Sequence, residues 1–231
     1  MKIGIIVFPG SNCDTDCLYL FRDVLNMDAF YIWHKDKDLK NADLIILPGG
    51  FSYGDYLKCG AIAKLSPVME LVYTFAMNGG LLLGICNGFQ ILVEMGLLPG
   101  ALIRNRDLKF ICRSVYIKCI NKNTIFTGEA HNKEVLNIPI AHKAGNYFID
   151  DESLKDLYKN NQIVFKYSDE NGIVNDKTNP NGSRDNIAGI INKKGNILGM
   201  MPHPERAADQ LLGSEDGLYI CNSIMKSINS L

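Results

Sequence analysis

The residues best placed for covalent chemistry are Gly84-Ile85-Cys86-Asn87-Gly88. They follow an apolar run at 80–85 (GLLLGI) and precede an apolar stretch of helical spacing at 87–97. This is the context of the G-x-S-x-G nucleophile elbow, with sulfur in place of oxygen. A sharp strand-to-helix turn lifts the middle residue into a strained position, and glycines two before and two after it remove side chains that would strike the neighbouring strand and helix. The helix N-terminus beneath the sulfur favours the thiolate, and the Asn87 amide is placed to bind an oxyanion. A buried structural cysteine between packing glycines is the alternative.

A cysteine nucleophile needs an imidazole within reach and a third group to orient that imidazole. The chain has four histidines: His34, His131, His142 and His203. Met200-Met201-Pro202-His203-Pro204-Glu205 follows an apolar run and offers both groups, because Glu205 can turn back and fix the ring tautomer. Prolines on either side of His203 stiffen the backbone. His142, in Ala141-His142-Lys143-Ala144-Gly145, also follows a strand pattern and is the main competitor. His34 lies in the charged segment HKDKD and reads as solvated.

Pro48-Gly49-Gly50-Phe51-Ser52-Tyr53-Gly54-Asp55-Tyr56 follows a further buried strand. In a parallel sheet this puts Gly49 and Gly50 at the carboxyl edge, where ligands bind and where backbone N–H groups supply oxyanion donors. A plain tight turn is the other reading. No G-x-x-x-x-G-K-[ST] or G-x-G-x-x-G occurs in the chain, so no nucleotide-binding motif is expected.

These segments need a scaffold. The first half alternates buried strands (2–8, 29–33, 43–47, 80–85) with helical patterns (about 12–27, 61–78 interrupted by Pro67, and 87–97), a βαβ rhythm that predicts a mostly parallel sheet flanked by helices. Ser11 or Asn12 is the expected cap of the first helix. After Gly100 the strands at 111–120, 135–140, 162–168, 187–192 and 196–201 are separated mainly by turns, which predicts an antiparallel extension. Residues 151–160 and 215–230 read as helices, and 175–186 as a polar loop. No repeat or linker appears, so 1–231 is expected to be a single α/β domain.

The 231 residues carry 24 Lys plus Arg against 25 Asp plus Glu, so bulk electrostatics do not point to nucleic acid. No apolar run reaches the length of a membrane span, and the N-terminal run is too short for a signal peptide. The seven cysteines show no Cys-x-x-Cys, so no metal site is expected, and reduced thiols fit a cytoplasmic protein. Cys13 and Cys17 are spaced to share one helix face.

Together the elbow, the Pro48-Gly49-Gly50 loop and His203-Pro204-Glu205 resemble the class I (triad) glutamine amidotransferases. More narrowly, FPGSNCD (8–14), LPGGFSYGDYLKCGAIA (47–63), GICNGFQIL (84–92), NPNGS (179–183), MMPHPERA (200–207) and LLGSEDG (211–217) resemble the family of free-standing glutaminase subunits of phosphoribosylformylglycinamidine synthases. The resemblance implies a flavodoxin-like amidotransferase fold over 1–231. It implies Cys86 as nucleophile, His203 as base and acid, and Glu205 as orienter. It further implies Gly49 and Gly50 in the oxyanion loop, Asn87 as a backbone oxyanion donor and Gln90 lining the glutamine pocket.

The implied reaction is hydrolysis of L-glutamine to glutamate and ammonia. The implied partners are a large synthetase subunit, which uses ATP and Mg to amidate formylglycinamide ribonucleotide in purine synthesis, and a small bridging subunit. No cofactor is implied in this chain, and neither nucleic acid nor membrane as partner. One departure is Lys58, where the family often carries arginine; it keeps the charge and loses the guanidinium fork. Another amidotransferase subunit, a stand-alone cysteine hydrolase and an inactive regulatory module are the competing readings.

Overall fold

A computed structural model describes residues 1–229. The chain forms two compact units, one of Met1–Leu98 with Asn196–Gly199 and one of Pro99–Gly195 with Met200–Leu231.

In the first unit, strands β1 (Lys2–Val7), β2 (Asp28–Trp33), β3 (Leu44–Leu47) and β4 (Leu81–Ile85) pair in parallel in the order β2-β1-β3-β4. The late strand Ile197–Met200 lies beside β4. β3 and β4 are buried at every position, as their unbroken apolar runs require of strands covered on both faces. Helix α1 (Asp14–Leu18) runs on as a π-helical stretch at Tyr19–Val24, so the expected helix ends earlier than Met27. Its cap is Cys13, without a side-chain cap bond, because Ser11 Oγ is turned to Phe8 O and Asp14 Oδ2, each at 2.9 Å. Cys13 and Cys17 are both buried, and neither is in a disulfide among the described residues. Pro67 starts helix α2 (Val68–Met77) after a short 3-10 turn at Ala63–Leu65. Helix α3 (Asn87–Glu94) follows β4 directly and stops sooner than the apolar pattern suggested.

Strand order β2-β1-β3-β4 reverses direction between β1 and β3, and open parallel sheets bind ligands outside the carboxyl ends of their strands at such a point. The segments after β1, β3 and β4 begin at Phe8, Pro48 and Cys86.

The second unit is antiparallel. It contains β5 (Ala101–Ile103), β6 (Ile111–Cys119), β7 (Val135–His142), β8 (Asn146–Phe148), α4 (Asp151–Lys159), β9 (Ile163–Ser168), β10 (Ile187–Ile191), the end of β11 (Ile197–Met200) and α5 (Gly217–Asn229). Strands β10-β9-β6-β7 pair side by side, and β5 pairs with β8 in a separate small ribbon that the sequence pattern did not reveal. β7 runs two residues past its expected end, and the alternation along it turns Leu136, Ile138, Ile140 and His142 inward together. α4 has an Asp150 cap accepting from Glu152 N and Ser153 N. The predicted loop at 175–186 contains short 3-10 turns at Asp176–Thr178 and Arg184–Asn186. Residue 230 of the predicted closing helix lies outside the described residues. Among the described residues no helix is long and apolar enough to cross a membrane.

Candidate active site

Cys86 sits between β4 and α3 with φ 49° and ψ −100°, a left-handed conformation that costs a non-glycine residue of order 1–3 kcal/mol. The flanking glycines explain how the turn closes. A Cβ at position 88 would lie 1.9 Å from Leu47 O, and one at position 84 would lie 2.9 Å from the Gly88 backbone and 2.5 Å from Leu92. Close helix-on-strand packing therefore demands glycine at both positions. Gln90 N bonds Cys86 O at 3.1 Å, so the cysteine carbonyl opens the helix ladder. The side chain is only 4% exposed.

The glycine loop after β3 lies against the loop after β1. Gly50 has φ 118° and forms an isolated bridge with Ser11, and a Cβ there would sit 2.5 Å from Asn12 Oδ1. Tyr53, Gly54 and Asp55 continue with φ of 52°, 67° and 54°, a left-handed run held by side chains from elsewhere in the unit. Tyr53 OH lies 2.8 Å from His34 Nδ1 and 2.9 Å from Ser66 Oγ. Asn87 Oδ1 accepts from Ser52 N at 3.3 Å, and Asn87 Nδ2 donates to Asp55 Oδ1 at 3.3 Å and to Gln90 Oε1 at 2.8 Å. The structure thus brings Asn87, Gln90 and the glycine loop together.

His34 is not solvated, contrary to the reading of its charged neighbours. Backbone bonds His34 N to Val7 O and Val68 N to His34 O draw the segment inward, leaving the ring 4% exposed against Tyr53 and Trp33. Burial, and then Lys35, lower its pKa. Lys58 pairs with Glu94 at the end of α3, at 2.5 Å.

In the second unit, His203 and Glu205 are buried together at 1% exposure each. His203 Nδ1 lies 2.6 Å from Glu205 Oε1. A carboxylate accepts, so Nδ1 carries the proton and Nε2 keeps its lone pair for a reacting group. His203 N donates to Pro139 O at 2.9 Å, which ties the turn to β7. The turn Pro204–Arg206 is itself covered by α5, where a Cβ on Gly217 would meet Pro204 O at 2.0 Å.

His142 has a different environment. Its Nδ1 faces Asn105 Oδ1 at 3.1 Å, which also accepts from Gly145 N at 3.0 Å, so an amide stands where Glu205 stands for His203. Burial, reinforced by His203, pushes its pKa down to about 3. A ring so hard to protonate is a poor general base at neutral pH. Asn105, the residue that fixes this tautomer, carried no signal in the sequence. The NPNGS segment folds onto the same region: Asn181 Nδ2 donates to Gly145 O at 2.8 Å, and Ser183 Oγ accepts from Tyr147 N at 3.1 Å.

A cysteine on a strained strand-to-helix elbow, next to a residue that bonds the glycine loop, suits cleavage of a carboxamide through an acyl-thiol intermediate. Comparison with known proteins places the chain in a class that does this to glutamine. Residues 1–215 match the CobB/CobQ-like glutamine amidotransferase domain, and the chain belongs to that family of glutamine amidotransferase enzymes. Within the class it is 41% identical to a chain in the structure of PurLQS from Thermotoga maritima, covering 98% of each chain with a TM-score of 0.85. Two remoter structures share the fold. A glutamine amidotransferase from Thermotoga maritima is 16% identical over 98% of this chain and 90% of its own, with a TM-score of 0.56. The glutaminase domain of Trypanosoma brucei CTPS with bound acivicin is 14% identical over 98% and 94%, with a TM-score of 0.60.

Proposed function

We propose that this chain is the glutaminase subunit of a phosphoribosylformylglycinamidine synthase. It releases ammonia from glutamine for a partner that converts formylglycinamide ribonucleotide to its amidine in purine (IMP) synthesis. The observation that carries this reading is the 41% identity over 98% of both chains with the PurLQS structure. The single family match over residues 1–215 supports reading the whole chain as one amidotransferase domain.

The assigned roles follow the chemistry. His203 takes the thiol proton and the Cys86 sulfur attacks the glutamine amide carbon, forming a C–S bond and a tetrahedral oxyanion. Backbone N–H groups at Gly50 and Asn87, with Gly49 shaping the loop, stabilise that charge. The imidazolium, held by Glu205, returns its proton to the amide nitrogen as the C–N bond breaks and ammonia leaves. Water, deprotonated by the same ring, then attacks the thioester, and glutamate departs with the thiol restored. Gln90 lines the glutamine pocket. The chain needs no cofactor for these steps; ATP and Mg belong to the large synthetase subunit, and a small bridging subunit joins the two. That no disulfide forms among the described residues supports a reducing, cytoplasmic setting.

The test is glutamine turnover by the purified chain, and then by the chain assembled with its candidate synthetase, with and without ATP and formylglycinamide ribonucleotide. The account predicts weak turnover alone and strong activation in the complete mixture. Equal kcat/KM in all mixtures favours a stand-alone hydrolase.

A further inference from the structure

Between the His203–Glu205 turn and α5, the second unit sends out a short loop, residues 208–216, that takes no part in the chemistry above. Its two ends meet. Gly217 N donates to Ala207 O at 2.7 Å, and Gly217 lies so close to Pro204 O that a Cβ would sit 2.0 Å from it. An antiparallel bridge between Asp209 and Ser214 closes the neck a second time, nearer the tip. The tip is one 3-10 turn, Gln210–Leu212, with Asp209 Oδ1 accepting from Leu211 N at 2.9 Å and Gly213 left-handed at φ 92°. The returning arm is fixed as well. Ser214 Oγ donates to Asn137 O at 2.7 Å, and Asp216 accepts from Asn137 N at 2.7 Å and pairs with Lys133 at 2.6 Å. A loop tied at the neck, the tip and one arm is preorganised.

What this rigid loop holds out is apolar. Leu211 is 93% exposed, above every other large hydrophobic side chain among the described residues, and Leu212 beside it is 55% exposed. Apolar surface on a fixed turn is stabilised only when another surface covers it. The charge around the two leucines has one sign. Residues 208–216 contain no Lys or Arg, Glu215 is exposed, and Asp216 is the carboxylate already paired with Lys133.

We infer that loop 208–216 is a docking loop that sets Leu211 and Leu212 into an apolar socket, rimmed by basic side chains, on the synthetase partner. This rests on the reading of the chain as a glutaminase subunit and names the surface that the subunit offers. Two leucines cover only a small part of the roughly 800 Å² that each side of a stable complex buries, so they are an anchor within a larger contact. A two-fold pairing of this chain about the loop would set Glu215 against the like charge of its own copy, which disfavours a second copy as the occupant. The neck stands on Pro204 and Ala207. A partner that grips the loop therefore holds the turn that carries His203 and Glu205.

The test measures binding of the full-length chain to the purified large and bridging subunits, with ATP, Mg and formylglycinamide ribonucleotide present. The double variant Leu211→Ser/Leu212→Ser should raise the Kd about ten-fold or more, through the lost apolar burial. Leu211→Met keeps the apolar volume and should stay within about three-fold of wild type. Glu215→Lys should raise the Kd at low salt, by a factor that shrinks as salt is added. Urea midpoints of all three should match wild type, because these side chains are exposed. A wild-type Kd for the double variant overturns the inference. If the double variant lowers the midpoint, Glu215→Lys decides, and its wild-type Kd at low salt overturns the inference. An isolated chain that sediments as a dimer, and as a monomer once both leucines are replaced, overturns it too, since the loop then meets its own copy. Failure of the wild-type chain to bind the synthetase mixture removes the glutaminase-subunit reading and this inference with it. Wild-type binding with unaltered variants removes this inference alone.

Discussion

His203 donates from Nδ1 to Glu205 Oε1 at 2.6 Å, with both side chains buried and only one residue between them in the chain. Pro204 opens the tight turn that lets a residue two positions on reach back to the ring. This bond fixes the tautomer and leaves Nε2 as the basic nitrogen. The account predicts that His203→Asn lowers the glutaminase rate by several orders of magnitude, and that Glu205→Gln lowers it less, since the base remains. His142→Asn should be mild by comparison. Steady-state glutamine turnover by the assembled complex checks the ranking, and a large loss at His142 with little at His203 reverses the assignment.

Thiol chemistry provides a second expectation. Burial pushes the Cys119 thiol up to about 12 and raises Cys221 further, with Glu205 adding to the rise at Cys221. Neither supplies thiolate at neutral pH. Cys86 stands at a helix N-terminus and should be the cysteine alkylated fastest by a glutamine analogue. Peptide mapping after brief exposure checks this, and equal labelling of Cys13, Cys59 or Cys112 counts against it.

The imidazole of His142 makes folding sensitive to acid. Its folded pKa is lowered to about 3, so the unfolded chain binds the extra proton first as pH falls. Stability from this group is intact above the unfolded value of about 6.5 and is lost progressively down to about 3, by an amount of order 5 kcal/mol. Urea midpoints across that range should fall for the native sequence. The fall should be shallower for His142→Gln, and parallel curves for the two proteins contradict the assignment.

Gly88 offers a test of the elbow as architecture. A methyl group there would collide with the Leu47 carbonyl, a backbone atom that cannot swing aside. Gly88→Ala should therefore destabilise the protein by about 3 kcal/mol, read as a drop in the denaturation midpoint. A midpoint unchanged from the native sequence means that β3 and α3 are farther apart than the structure places them.

What the sequence made legible follows from how each feature is encoded. Gly84 and Gly88 are written in the chain because close approach excludes every other side chain, and the pair brackets the cysteine at fixed spacing. Unbroken apolar runs at β3 and β4 announce strands covered on both faces. His34 was misread because its neighbours are charged, while its burial is set by backbone bonds to Val7 and Val68 that no local pattern carries. The β5–β8 ribbon has three-residue strands, too short for a period to appear. Asn105 and Asp55 act through partners 37 and 32 residues away, so their importance exists only once the chain has folded.

The glutaminase account turns on Cys86 as the nucleophile that feeds ammonia to a separate synthetase. Replacing it by alanine in the assembled complex, and measuring amidine formation first with glutamine and then with an ammonium salt, examines both halves at once. The account predicts loss of the glutamine-dependent rate and retention of the ammonium-dependent rate, because the synthetase is untouched. A Cys86→Ala complex that still uses glutamine at a near-native rate would contradict it.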